Sequence, residues 1–124
     1  MTSDPLLDLS TLQMLSDLGD RRGKDLLGQL YGLFIAQGPE SFAKMRQAVA
    51  SGEPNTVREV AHSLKGSYRS IGTPVLADLC FELEQRGKAG DLGDDADTVL
   101  DRLEETFEAT SAALGDYLGR RTTP

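Results

Sequence analysis

Apolar residues recur at three- and four-residue spacings along most of this chain, in blocks broken by glycine and proline, and nowhere in strict alternation. That spacing stacks side chains on one face of an α-helix, whereas a half-buried strand needs a period of two. The expected fold is therefore all-α. Leu26, Leu27, Leu30, Leu33 and Phe34 open one long stripe, which Phe42, Met45 and Val49 continue to a stop at Ser51 and Gly52. Gly38-Pro39 falls inside it and predicts a kink or a restart. A second stripe, Val57, Val60, Ala61, Leu64, Tyr68 and Ile71, runs from Pro54 to Gly72. A third, Leu76, Leu79, Cys80 and Leu83, follows Thr73-Pro74, which reads as an N-cap and a proline at the first helical position. It is expected to fray between Gly87 and Gly93. The last stripe holds Ala96, Val99, Leu100, Leu103, Phe107, Leu114, Tyr117 and Leu118, with Asp94, Asp95 and Asp97 at its electropositive start.

Upstream, Ser10 and Gln13 have the spacing of a capping box, so a short helix is expected from about Thr11 to a stop at Gly19, with Leu12 and Leu15 inward. Residues 1–9 read as a loose lead-in, Asp20 to Lys24 as a polar link and residues 119–124 as a tail. Four substantial amphipathic helices on short links make an antiparallel up-down four-helix bundle, with the short first helix over one end. The 124 residues suit one domain with one core.

The net charge of −7 argues against nucleic acid as the main partner. Its distribution is uneven. Asp91 to Glu108 carries eight acidic residues against Arg102 alone, whereas Pro54 to Gly72 carries Arg58, Lys65 and Arg69 against Glu59. No run reaches the 18 or so apolar residues of a membrane span, and the first residues lack the basic-then-apolar order of a leader. A single cysteine, Cys80, rules out an internal disulfide and fits a reducing compartment. These features lead us to expect a cytoplasmic chain without membrane contact.

The one histidine, His62, lies on the side of its helix away from the apolar stripe, facing solvent. Lys65 and Gly66 follow three and four residues on, one turn along the same surface. Glycine inside a helix costs about 1 kcal/mol relative to alanine, and here it clears the approach to the imidazole. Lysine supplies a mobile cation suited to phosphate. Together they suggest a phosphoryl group carried on His62. Glu59 and His62 have the Glu-x-x-His spacing of di-iron bundles, but that motif must occur twice and face inward, so no metal site is expected. Nor is there a nucleotide-binding loop, and the chain is not expected to be an enzyme.

The run His62-Ser63-Leu64-Lys65-Gly66-Ser67, then Ile71-Gly72, Leu76, Cys80, Leu83 and Glu84, resembles the histidine-containing phosphotransfer domain of bacterial two-component phosphorelays. The likeness is detailed from Phe34 to Gly90. It implies that His62 accepts a phosphoryl group from a receiver-domain aspartate and passes it to another receiver. Lys65 would help hold the group and Gly66 would leave room for the receiver's loops. The implied partners are response-regulator receivers or a hybrid sensor kinase. The chain needs no cofactor of its own, and magnesium is expected in the receiver's acidic pocket. Tyr68, Arg69, Ser70 and Thr73 depart from the family's usual small or amide residues. Tyr68 falls on the core stripe, and Arg58 and Arg69 would tune docking or charge. The alternative is an adaptor of the same fold that docks a receiver or kinase without carrying phosphate. A bundle that must offer one helix face to a receiver is most simply a monomer. If Gly66 serves clearance, Gly66→Gln slows phosphotransfer despite its better helix propensity, and unchanged single-turnover rates would sink that account.

Overall fold

Five helices appear in the computed structural model, which describes residues 6–121: α1 (Leu9–Arg21), α2 (Leu26–Ala50), α3 (Pro54–Ser70), α4 (Pro74–Ala89) and α5 (Ala96–Arg121). No strand occurs among the described residues. Helices α2 to α5 form the antiparallel four-helix bundle, each packed on the next and α5 closing back on α2, while α1 packs on α2. The most extensive interface is α3 against α4. The predicted stripes are the core: Val57, Ala61, Leu64 and Tyr68 of α3 meet Leu76, Cys80 and Leu83 of α4 and Val99, Leu100, Leu103 and Leu114 of α5.

Several boundaries differ from expectation, each for a local reason. Helix α1 starts at Leu9 because Asp8, not Ser10, is its N-cap; the Asp8 carboxylate accepts from the Thr11 amide and from the Ser10 and Thr11 hydroxyls. The described end of the lead-in is ordered too. Leu7 is buried and the Asp8 amide donates to the Gly72 carbonyl at 2.8 Å. Residues 1–5 lie outside the described residues. Gly19 does not stop α1; it sits buried in the helix where the α1–α2 turn crosses it, and Gly23, with φ +64°, makes the turn. Helix α2 runs unbroken through Pro39. The proline forfeits one backbone bond, but the helix continues across it, with an aromatic face on either side. Phe34 stacks on Phe107 at 4.9 Å, Phe42 meets the same ring edge-on at 5.2 Å, and buried Gly38 gives that ring its room. Leu33, expected inward, is 56% exposed, at the margin of its stripe.

At the end of α3, Gly72 takes φ +77° and the Thr73 amide closes on the Tyr68 carbonyl at 2.8 Å. Thr73 is the N-cap of α4 by position, yet its hydroxyl donates backwards, to the same Tyr68 carbonyl. Helix α4 does not fray at Gly87. It continues to Ala89 and ends on left-handed Gly90. The expected tail belongs to α5 as far as Arg121, which ties to Asp25 at 2.8 Å and Ser16 at 3.3 Å, and residues 122–124 lie outside the described residues. The acidic face of α5 stays exposed to solvent, and on it Asp97, Asp101 and Glu104 converge on Arg46 of α2.

Gly87 is a point of close approach between α3 and α4. A β-carbon there would lie 2.6 Å from the Pro54 carbonyl oxygen and 2.7 Å from the Arg58 nitrogen. Both are backbone atoms, so relief requires moving a helix. Gly87→Ala therefore destabilises the fold by about 1–3 kcal/mol despite alanine's better propensity. Urea denaturation checks this, and an unchanged or raised midpoint would refute the close-approach account.

Candidate functional site

The antiparallel register of α3 and α4 that Gly87 permits brings Glu84 level with His62. The imidazole is 66% exposed, and its Nδ1 lies 2.7 Å from Glu84 Oε2. The other carboxylate oxygen, Oε1, lies 2.5 Å from Lys65 Nζ. One carboxylate on α4 thus bridges the histidine and the lysine of α3. Lys65 and Glu84 have side chains only 13% exposed, so this pair is half sunk into the α3–α4 seam while the imidazole stands out of it. The Lys65 ammonium also sits over the Phe81 ring, 5.3 Å from its centroid.

The electrostatics follow from that geometry. The Lys65 ammonium holds the Glu84 carboxyl below its ordinary range; partial burial opposes this, and the His62 contact adds to it. An ionised carboxylate only accepts hydrogen bonds, so the proton in the 2.7 Å contact is on Nδ1, and in the neutral form of the ring it is the only ring proton. The lone pair of Nε2 is then the free one. Beneath the seam, burial foremost and the Glu84 charge second push the Cys80 thiol up to about 12, which leaves it a protonated packing group. Tyr68, buried edge-on to Phe34 at 5.6 Å, fills the core as expected.

Sequence reasoning placed His62 correctly on the solvent face, and set Lys65 and Gly66 beside it. Gly66 faces open space: a β-carbon there would meet nothing within 4 Å. The fold does not require glycine at that position. It borders a groove of about 420 Å³ between α2 and α3, lined by Leu30, Leu33, Phe34 and Ile71 among others. Lys65, in contrast, is not the mobile cation expected, because Glu84 and Phe81 hold it. Arg58 is engaged with Asn55, donating to its Oδ1 at 2.8 and 3.0 Å, and Arg69 is exposed two turns beyond His62 without an ion pair among the described residues. Neither arginine joins the His62–Glu84–Lys65 set. Glu59, three residues before His62, accepts from Asn55 at 3.4 Å; Glu84 is the carboxylate at the imidazole. Its signal in the sequence was the glutamate next to core Leu83, at the edge of the α4 stripe, where a side chain can reach a neighbouring helix.

The site is an exposed histidine contacting a carboxylate on a four-helix bundle, and the chain belongs to the Hpt domain family, whose model matches residues 29–113. It is a phosphorelay intermediate. Among individual proteins it is similar to the phosphorelay protein LuxU of Vibrio vulnificus strains YJ016 and CMCP6, with 26% identity over 106 residues, 83% of this chain and 92% of the relative. The crystal structure of histidine-containing phosphotransfer protein B (HptB) from Pseudomonas aeruginosa PAO1 superposes with a TM-score of 0.84 at 25% identity, over 95% of this chain and 98% of that one. No helix among the described residues is long and apolar enough to cross a membrane.

The depressed Glu84 carboxyl fixes the sign of a pH effect. Its ordinary value is 4.5 and its folded value lies lower, so the stability it contributes is complete above about 4.5 and disappears as pH falls through the folded value. Wild type is therefore more stable than Glu84→Gln at neutral pH, and the gap closes in acid. Denaturation of both across that range tests this, and a gap independent of pH would contradict the ion-pair assignment.

Proposed function

We propose that His62 is the phosphoryl acceptor of this relay module, with Nε2 as the attacking atom. The observation that carries the reading is the 2.7 Å contact between Nδ1 and the ionised Glu84, which in the neutral ring puts the proton on Nδ1 and the lone pair on Nε2 of an exposed side chain. When a receiver presents its aspartyl phosphate, the Nε2 lone pair forms the N–P bond as the acyl P–O bond breaks. The bonding pair leaves with the aspartate carboxylate, and the proton stays on Nδ1, shared with Glu84. Transfer to a second receiver is the reverse, with a different carboxylate as nucleophile. Phosphoryl transfer of this loose kind asks mainly for positioning and charge neutralisation, so a carrier without a nucleotide site suffices and the chain is not itself an enzyme.

Lys65 lies beside the acceptor as a charge held in reserve by Glu84. Gly66 and the α2–α3 groove leave space for receiver loops, with exposed Leu33 at the lip. Magnesium would arrive with the receiver's acidic pocket. Arg58 and Arg69 extend the positive face on either side of the site and would bias partner choice. We read the chain as a cytoplasmic monomer that works between receiver domains, or between a hybrid kinase and a receiver.

Incubation with a panel of labelled phospho-receivers tests the reading directly. Wild type is expected to take up an acid-labile, base-stable phosphate, and His62→Gln none, with helicity and melting nearly unchanged. Binding of receivers without any uptake would turn the reading to a phosphate-free adaptor, and a large loss of stability in His62→Gln would make the histidine structural.

A further inference from the structure

Phe81 is 45% exposed on the α4 side of the site, a large ring that adds nothing to the buried core. What it touches is Lys65. It lies three residues before Glu84 on α4, so ring and carboxylate stand one turn apart on the same surface. The Lys65 ammonium is received between them, 2.5 Å from Glu84 Oε1 and 5.3 Å from the ring centroid. That second distance is within cation–π range. The ring has a mechanical reason to be there. The ammonium meets Oε1 as an ion pair at 2.5 Å, and that oxygen, although buried, has no other partner among the described residues. Charge attracts Lys65 to Glu84 but does not fix its direction, and a lysine stem has four rotatable carbons with which to wander. The ring face supplies the missing restraint.

We infer that Phe81 is a positioning residue for His62: it holds Lys65 against Glu84 Oε1, and the carboxylate so anchored keeps Oε2 on His62 Nδ1. The inference rests on the reading of His62 as the acceptor only for its consequence in transfer; the chain of contacts from ring to ammonium to carboxylate to imidazole stands without it. Phe81→Leu keeps an apolar cover of similar reach and removes the π face, so a purely steric role would survive the substitution. Phe81→Trp keeps and strengthens that face. The effect on the imidazole is legible in its tautomers, because a neutral histidine without the Glu84 contact is free to carry its proton on Nε2 instead.

The experiment is nitrogen-15 spectroscopy of the His62 ring in the full chain, at a pH where the imidazole is neutral, with single-turnover transfer from one phospho-receiver in parallel. Wild type and Phe81→Trp are expected to show mainly the Nδ1–H form. In Phe81→Leu the ratio of Nδ1–H to Nε2–H falls about two- to five-fold, the equilibrium equivalent of an exposed cation–π contact, and the transfer rate falls with it. In a Lys65→Met background the leucine substitution has no further effect. An unchanged ratio in Phe81→Leu overturns the inference, and so does an equal drop in the Lys65→Met background, since the ring would then act without the ammonium. If wild type takes up no phosphate at all, the acceptor reading fails, while the tautomer ratio still decides the role of Phe81.

Discussion

The close approach of α3 and α4 at Gly87 is the constraint on which the site depends. With no β-carbon between them, the α4 backbone lies against the Pro54 carbonyl and the Arg58 amide, and the antiparallel register is set there. From that point the pairing is arithmetic. Residue numbers that face each other across the seam sum to nearly the same total, so Gly87 against Arg58 implies Glu84 against His62 and Phe81 against Lys65. A helix pushed outward by one methyl group would open the seam over the whole stretch that carries the site. The core below locks the same register from the other side, through Ala61, Leu64, Cys80 and Leu83.

This division explains what could be read in the sequence. Periodicity reports which way a side chain points around its own helix, and that was enough to bury Val57, Ala61, Leu64 and Tyr68 and to expose His62. It does not report how far one helix slides along another, and so Glu84 could not be placed beside His62 from its own stripe. The same limit made Lys65 look mobile: both of its restraints, Glu84 and Phe81, come from α4. The restart allowed for at Pro39 does not occur, for a related reason: α2 continues across it where Phe34 and Phe42 pack on Phe107, contacts between residues as far apart as 34 and 107. Gly19 was read as a stop, and Gly87 as the start of fraying, because glycine is common past helix ends. Both are in fact places where another backbone segment crosses, which only the folded neighbour reveals. Gly66 is the contrasting case, a helical glycine that nothing in the fold approaches.

The acidic α5 shows how a charged face can be structural without being buried. Arg46 of α2 gathers Asp97, Asp101 and Glu104, spaced along one side of α5. Exposed single pairs of this kind contribute little, but one guanidinium shared among three carboxylates also relieves their mutual repulsion along the helix. At the other end of the bundle Arg121 does similar work, with Asp25 serving both as its partner and as the N-cap of α2. Held at both ends, α5 keeps Phe107 against Gly38 and the bundle closed behind the α3–α4 seam.

A relay intermediate has to release its cargo as readily as it takes it up, and on the proposed reading of His62 as the acceptor the charge arrangement there suits that demand. The Glu84 carboxylate and the Lys65 ammonium form an ion pair, so with the neutral form of the ring the site sums to zero. A phosphoryl group adds between one and two negative charges at neutral pH. A free lysine beside it would stabilise the phosphorylated state, and stabilising that ground state raises the barrier to onward transfer. Lys65 is already opposed by Glu84, so the incoming charge meets a cation whose field is largely cancelled at rest and recovered only as the contacts rearrange. The same carboxylate orients the nucleophile. A glutamate in this position therefore couples two requirements that pull in opposite directions: it readies Nε2 for attack, and it keeps the nearby cation from turning the acceptor into a trap.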